Sequence, residues 1–318
     1  MPRNRTASRE RSLRLLNAGL WWLGWSTGAV AAIPCAGPPI VLQPVAPQVW
    51  MVPGADGDST PDNRGAISNL LAVREGRRLW LIGSGPSATY ARALNCHLQR
   101  LTGQRVTDVI APWPRPELVL GQAGLAGARR WAHEDVAQAM QERCPRCVER
   151  LRQRLGPTAA DLGAKPIALP VHRLHGDHGT LGPLRWWRLR RSAETSVTVW
   201  SVPRARLSTA HGLLWADGAP DLRDAESGHL DEAWQRLDAL GDTAQWLPEQ
   251  GPLLDSSAPR QHRAYLQALR TAVDRAQERG APESDPAPVL DGVDARFGQG
   301  QRHALNWQHV WREAERRW

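Results

Sequence analysis

The chain is poor in lysine, phenylalanine and cysteine, with one lysine (Lys165) among 40 basic residues, one phenylalanine against 16 tryptophans, and four cysteines in 318 residues. Nearly all positive charge is therefore arginine, which a biased genome produces as readily as selection for anions does. No arginine stripe with interleaved aromatics is present, which argues against nucleic acid as a partner. Long apolar runs are also missing. The longest, LLNAGLWWLGW, is broken by Asn17 and followed by Ser26 and Thr27, shorter than the apolar stretch a membrane span needs. VPGADG and IGSGPS have glycines without the spacing of a phosphate-binding or dinucleotide-binding loop, and no G-x-S-x-G nucleophile elbow occurs. No internal repeat is visible, and the length suits one domain of about 200 residues with additions.

Residues 1–32 run from a basic start through an apolar middle to a small-residue end, TGAVAA, the layout of a cleavable secretory signal peptide. Arg3, Arg5, Arg9, Arg11 and Arg14, less Glu10, supply four of the formal +8 charges, so the mature chain is closer to neutral. Without a twin arginine or a good lipoprotein box before Cys35, Sec export to a bacterial periplasm is the expectation. An oxidising compartment favours disulfides. Cys144 and Cys147, in C-P-R-C, are expected to form a local disulfide; a redox pair and half a zinc knuckle are the alternatives. The sequence leaves the pairing of Cys35 with Cys96 open.

Residues 33–48 are proline-rich, a linker or edge segment. ISNLLAVREGRRLWLIG predicts two strands joined by a turn over Arg74 to Arg78, SATYARALNCHLQRLTG a helix with a Gly stop, and VTDVIAP a short buried strand. Residues 123–156 are expected to form two helices broken near Cys144. AKPIALPVHRL, LRWWRLRRSAETSVTVWSV and GLLWADG alternate β-rich runs with turns, a second sheet, and DAESGHLDEAWQRLDALG predicts a helix. Two more helices close the chain. This order predicts an α/β fold, a four-layered αββα sandwich spanning 49–255 with a helical C-terminal extension over 256–318.

The span from Val49 to Gly121 (VWMVPGADGDSTPDNRGAISNLLAV, RRLWLIGSGPS, VTDVIAPWPRPELVLG) resembles the first half of a metallo-β-lactamase-like domain. NRGAISN, CPRC, PDLRDAESGHLDEAWQRLDALG and RHALNWQHVWREAERRW narrow the resemblance to exported zinc-metallohydrolase-like proteins of quinoprotein dehydrogenase relay systems. In active members, imidazoles and a carboxylate hold zinc that ionises a bound water. Here the H-x-H-x-D-H loop becomes Trp113, Arg115, Glu117 and Leu118 at its four ligand positions. The aspartate ending the second strand becomes Gly83, and two later histidines become Ser192 and Gln250. Asp217, in LLWADG, is the one position that keeps its ligand. The resemblance thus implies a degenerate site, with no cofactor, and an accessory or binding role beside a periplasmic quinoprotein dehydrogenase.

Two other classes compete. An active hydrolase of an ester, thioester or amide would hold zinc through Glu117, Asp217 and a histidine from elsewhere; a thiol/disulfide partner would work through CPRC. His172, His175 and His178, in VHRLHGDHGTLG, are a candidate displaced metal site, though Gly176 and Gly179 favour a solvated turn. His97, His133, His211, His229, His262, His303 and His309 stand alone in the sequence. Trp113, Trp186, Trp187, Trp200, Trp215 and Trp246 would either line a pocket at the old mouth or fill the core, core filling being the expectation.

Overall fold

The computed structural model describes residues 35–37 and 39–316, so the leader over 1–32 lies outside the described residues. The chain from Cys35 onward is one compact unit. Its first sheet collects β1 (Gln43–Ala46), β2 (Val49–Val52), β3 (Leu70–Glu75) and β4 (Arg78–Ile82). Helix α1 (Ala88–Thr102), β5 (Asp108–Ile110), the short α2 (Pro116–Val119), β6 (Arg129–His133), α3 (Glu134–Leu155) and β7 (His172–Leu174) follow. The seven strands lie in chain order, antiparallel through β4 and parallel from β4 to β7.

The second sheet holds β8 (His178–Leu181), β9 (Leu184–Arg190), β10 (Ser196–Val202) and β11 (Leu207–Thr209). After α4 (Ser227–Asp238) come β12 (Gln245–Leu247) and β13 (Leu254–Asp255), then helices α5 (Ala258–Glu278) and α6 (Gly300–Glu315). Spatial order is β13-β12-β11-β10-β9-β8.

Side-chain alternation separates the layers. Leu71, Val73, Trp80, Ile82 and Ile110 meet Leu184, Trp186, Trp200, Val202 and Leu207 between the sheets. The alternate residues Leu70, Ala72, Leu79, Leu81 and Val109, and Val197 and Val199 opposite, belong to the core that takes in the helices. Sheets covered on both faces require near-continuous apolar strands, which is why LLAV and LWLI lack a polar phase. The αββα sandwich is present, with α5 and α6 packed beyond α4. Among the described residues no helix is long and apolar enough to cross a membrane.

Three expectations need correction. Part of the segment taken as a linker is structured: Cys35 is bonded to Cys96 of α1, and Gln43–Ala46 pairs as an edge strand. Residues 123–156 contain a strand, β6, and one unbroken helix of 22 residues with Pro145 inside it. Proline removes one backbone bond to Gln141, but both residues are exposed, so water takes the freed carbonyl while Val136, Met140, Cys144, Val148, Leu151 and Leu155 hold the buried stripe. Cys144 and Cys147 are free thiols in this helix, not a disulfide. Helical residues three apart have Cβ atoms about 5–6 Å apart, whereas a disulfide needs about 3.5–4.5 Å. Cys144 belongs to the core stripe and Cys147 sits half-buried beside it.

Candidate functional site

The loop after β5 runs Ala111, Pro112, Trp113, Pro114, Arg115, Pro116. Proline at 116 holds Arg115 in an extended conformation (φ −97°, ψ 133°) at the head of α2. The main-chain NH and hydroxyl of Thr198, on β10, donate to Pro112 O at 2.8 and 3.2 Å, fastening this loop to the second sheet. Trp113 is thereby buried, and Glu117, in the first turn of α2, is 5 % exposed.

Three carboxylates surround the Arg115 guanidinium. Glu249, from the loop after β12, lies at 3.5 Å, and Glu117 and Asp221 at 3.9 Å each. Burial opposes the charge on Arg115, and Glu249, Glu117 and Asp221 more than offset it, raising its pKa. Each carboxylate has a second tie. Ser59 Oγ donates to Glu117 Oε1 at 2.9 Å, and Ser68 Oγ to Glu249 Oε1 at 2.8 Å. Gly212 NH donates to Glu249 Oε2 at 3.2 Å, and Arg223 forks onto Asp221 at 2.9 and 2.7 Å. Burial raises the Asp221 pKa, but the Arg223 hydrogen bonds and the neighbouring charges bring it well below the ordinary range.

Arg191, which follows β9, is a second cation here and is fully buried, whereas the Arg115 side chain is partly exposed. It donates to Gly212 O and, at 2.9 Å, to Asp221 O, and burial lowers its pKa to about 10, so it stays charged at neutral pH. The Arg115 and Arg191 guanidinium carbons lie 4.9 and 4.8 Å from the Trp113 ring centre. His211, fully buried after β11, donates from Nε2 to Asn69 O at 2.7 Å, leaving Nδ1 without a partner. Burial lowers its pKa.

Of the residues singled out from the sequence, Trp113, Arg115 and Glu117 come together here. Gln250 is buried next to Glu249 and donates to Gly57 O at 2.9 Å. Leu118 is core: a Cβ built on Gly83 would lie 3.0 Å from its Cδ2. Ser192 lies in the β9–β10 turn, bonded to Thr195 and Glu194. Asp217 pairs with Arg302 of α6 at 3.5 Å rather than with Glu117. The three clustered histidines separate: His172 stacks on Trp131 in the first sheet (4.5 Å), His175 bonds Glu134 at 2.8 Å, and His178 is exposed on the second sheet. Trp186, Trp200, Trp215 and Trp246 are core residues, so core filling prevails over an aromatic pocket.

Sequence reasoning missed Glu249, Asp221, Arg191 and His211. A usable signal existed only for Glu249, which neighbours Gln250 in PEQGP.

Zinc sites use imidazole, thiolate and carboxylate donors around an open centre. These residues do not fit such an ion: a guanidinium stands among the carboxylates, and Asp217 points to α6. Among the described residues, no group of three or more His, Cys, Asp or Glu is placed to hold a metal ion.

No protein-family model matches the chain, and no curated protein matches it. Solved structures do. FIM-1 from Pseudomonas aeruginosa, a metallo-β-lactamase solved in a mono-zinc form, superposes with a TM-score of 0.59 at 14 % identity, covering 72 % of this chain and 95 % of that one. Metallo-β-lactamases from Hirschia baltica (TM-score 0.57, 14 % identity, 72 % and 98 % coverage) and Erythrobacter litoralis (0.56, 16 %, 72 % and 96 %) agree. The chain has the metallo-β-lactamase fold.

Proposed function

We propose that this is an exported protein that keeps the metallo-β-lactamase fold, has lost the zinc site, and serves as an accessory or binding factor of a periplasmic quinoprotein dehydrogenase system. The observation that carries the lost-site reading is Arg115, a cation within 3.9 Å of Glu117, Asp221 and Glu249. A zinc hydroxide nucleophile needs about three protein ligands and an open position, and a fixed positive charge at that place disfavours a second one. The Cys35–Cys96 disulfide supports export, since such bonds persist in oxidising compartments. The quinoprotein setting rests on the sequence resemblance alone.

The thiol/disulfide reading has the opposite support. Burial pushes the Cys144 thiol up to about 12, whereas exchange chemistry needs a thiolate. The hydrolase reading would need Glu117 and Asp217 at one metal, and these two carboxylates have different arginine partners.

The test is to isolate the chain from a periplasmic fraction without chelator, measure zinc by mass spectrometry, and assay β-lactam and thioester hydrolysis. Zinc well below one equivalent and no metal-dependent turnover is expected. One equivalent of zinc, with Glu117→Ala abolishing both metal and turnover, would sink the reading. The accessory role is tested by adding the chain to a soluble quinoprotein dehydrogenase and following complex formation.

A further inference from the structure

We propose that Arg115 is a resident cation standing in for a metal ion, so that the acidic box of Glu117, Asp221 and Glu249 is filled by a guanidinium, and removing it uncovers affinity for a hard divalent cation. The inference rests on the lost-site reading and goes one step beyond it: the box has been filled rather than dismantled.

Three observations carry it. First, Arg115 does not behave as an ordinary salt-bridge partner. Arginine and carboxylate commonly form a fork with contacts of about 2.7–2.9 Å, as Arg223 and Asp221 do at 2.9 and 2.7 Å. Arg115 instead lies 3.5–3.9 Å from three carboxylates at once, a positive charge at the centre of an anionic box. Second, the box keeps acceptors that nothing in the protein uses. Glu117 Oε2 is buried without a hydrogen bond, 3.9 Å from Arg115 Nε, and His211 Nδ1 is buried without one within the electrostatic reach of Glu249. Buried acceptors left unpaired are uncommon and costly. Third, carboxylates outnumber the arginines around the box: Arg115, Arg191 and Arg223 face Glu117, Asp221 and Glu249, with Asp58 and Asp224 also acting on Arg223, so removing Arg115 deepens a negative excess.

With the guanidinium in place these carboxylates do not make a group that could hold a metal ion. Without it, the box loses a positive charge and offers carboxylate oxygens as donors, with the His211 imidazole inside the electrostatic reach of Glu249. Such a donor set suits manganese or calcium better than a thiolate-seeking ion.

The experiment compares wild type, Arg115→Ala and the double variant Arg115→Ala with Glu249→Gln. Thermal midpoints are taken with and without manganese chloride, and bound manganese is counted by spin resonance. Wild type should ignore manganese. Arg115→Ala should melt several degrees lower, as expected when a partly exposed partner is removed from an otherwise buried ion cluster, and manganese should restore most of that loss with about one ion bound. The double variant should recover part of the midpoint without metal and be indifferent to manganese. If Arg115→Ala does not accumulate folded, refolding yield with and without manganese replaces the midpoint, and a rise supports the proposal. An Arg115→Ala variant that melts like wild type, that manganese leaves unchanged, or that Glu249→Gln fails to help would overturn it. Those outcomes leave the lost-site reading standing; a wild-type chain holding one zinc sinks both.

Discussion

Arg191 and Trp113 join the two halves of the sandwich face to face: the guanidinium of a residue at the end of β9 lies 4.8 Å from the ring centre of a residue on the loop after β5. Arg191 also donates to Gly212 O and Asp221 O, so one buried side chain holds three loops. Arg191→Ala should cost about 4 kcal/mol, because it strands two buried carbonyls and uncovers one ring face. Arg191→Lys should recover less than half of this, since a lysine offers neither the planar stack nor the fork. Urea unfolding with an unchanged m-value measures both; a lysine variant as stable as wild type would contradict this account.

Gly83 closes the neighbouring ligand position. Its φ of +75° favours glycine, and an added Cβ would meet Leu70 Cδ2 at 2.7 Å and Leu118 Cδ2 at 3.0 Å. Gly83→Ala should cost about 2 kcal/mol through left-handed strain and overpacking. Gly83→Asp, which restores the carboxylate that the resemblance expects there, should be less stable still and take up no zinc, because the two leucines occupy its space. Stoichiometric zinc in the Gly83→Asp variant would show that the position is open.

The sandwich could be read from sequence because its signals are local: apolar runs of strand length, Gly stops after helices, and the turn between β3 and β4. The acidic box was legible only in part: the motif resemblance reached Arg115 and Glu117, and Glu249 neighbours a motif position, but Arg191 and Asp221 come from separate loops and have no local pattern that distinguishes them from surface residues. Alignment to a motif drew attention to Ser192 and Asp217, which face elsewhere, while His211 looked isolated in sequence and is buried beside the cluster. Cys144 and Cys147 misled for a related reason. The C-x-x-C spacing favours a disulfide only where the backbone leaves the helix, and a continuous buried stripe kept Pro145 inside α3.

His262 makes the fold sensitive to acid. On α5 it donates from Nδ1 to Ala258 O at 2.8 Å and accepts at Nε2 from Trp215 NH at 3.0 Å, an arrangement only the neutral ring satisfies. Burial lowers its pKa from 6.5 to about 4. Below pH 6.5 the unfolded chain takes up a proton that the folded chain refuses until about pH 4, so stability is full above 6.5 and lost as pH falls through this window. The loss from this residue should be about 3 kcal/mol. Burial lowers the pKa of His211 and His133 as well, which adds in the same direction. His262→Gln should therefore flatten, without abolishing, the dependence of stability on pH between 6.5 and 4. An unchanged slope in urea titrations across that range would exclude His262 as a contributor.

The cysteines should separate into three reactivities. Cys144 is buried with its thiol held at about 12, so in the folded protein it should resist iodoacetamide at pH 8, while half-buried Cys147 accepts one label. Denaturant without reductant should raise the count to two labels, and reductant to four, because Cys35 and Cys96 are paired. That bond closes a loop across a sequence separation of 61, for which chain-entropy reasoning gives a stabilisation of about 4 kcal/mol. Replacing both Cys35 and Cys96 with serine should lower the urea midpoint accordingly, whereas Cys147→Ser, on the rim of α3, should change it little. Intact-mass spectrometry after each labelling step reads the counts directly. Two labels on the native chain would place Cys144 at the surface, and none would return the two helix thiols to a disulfide.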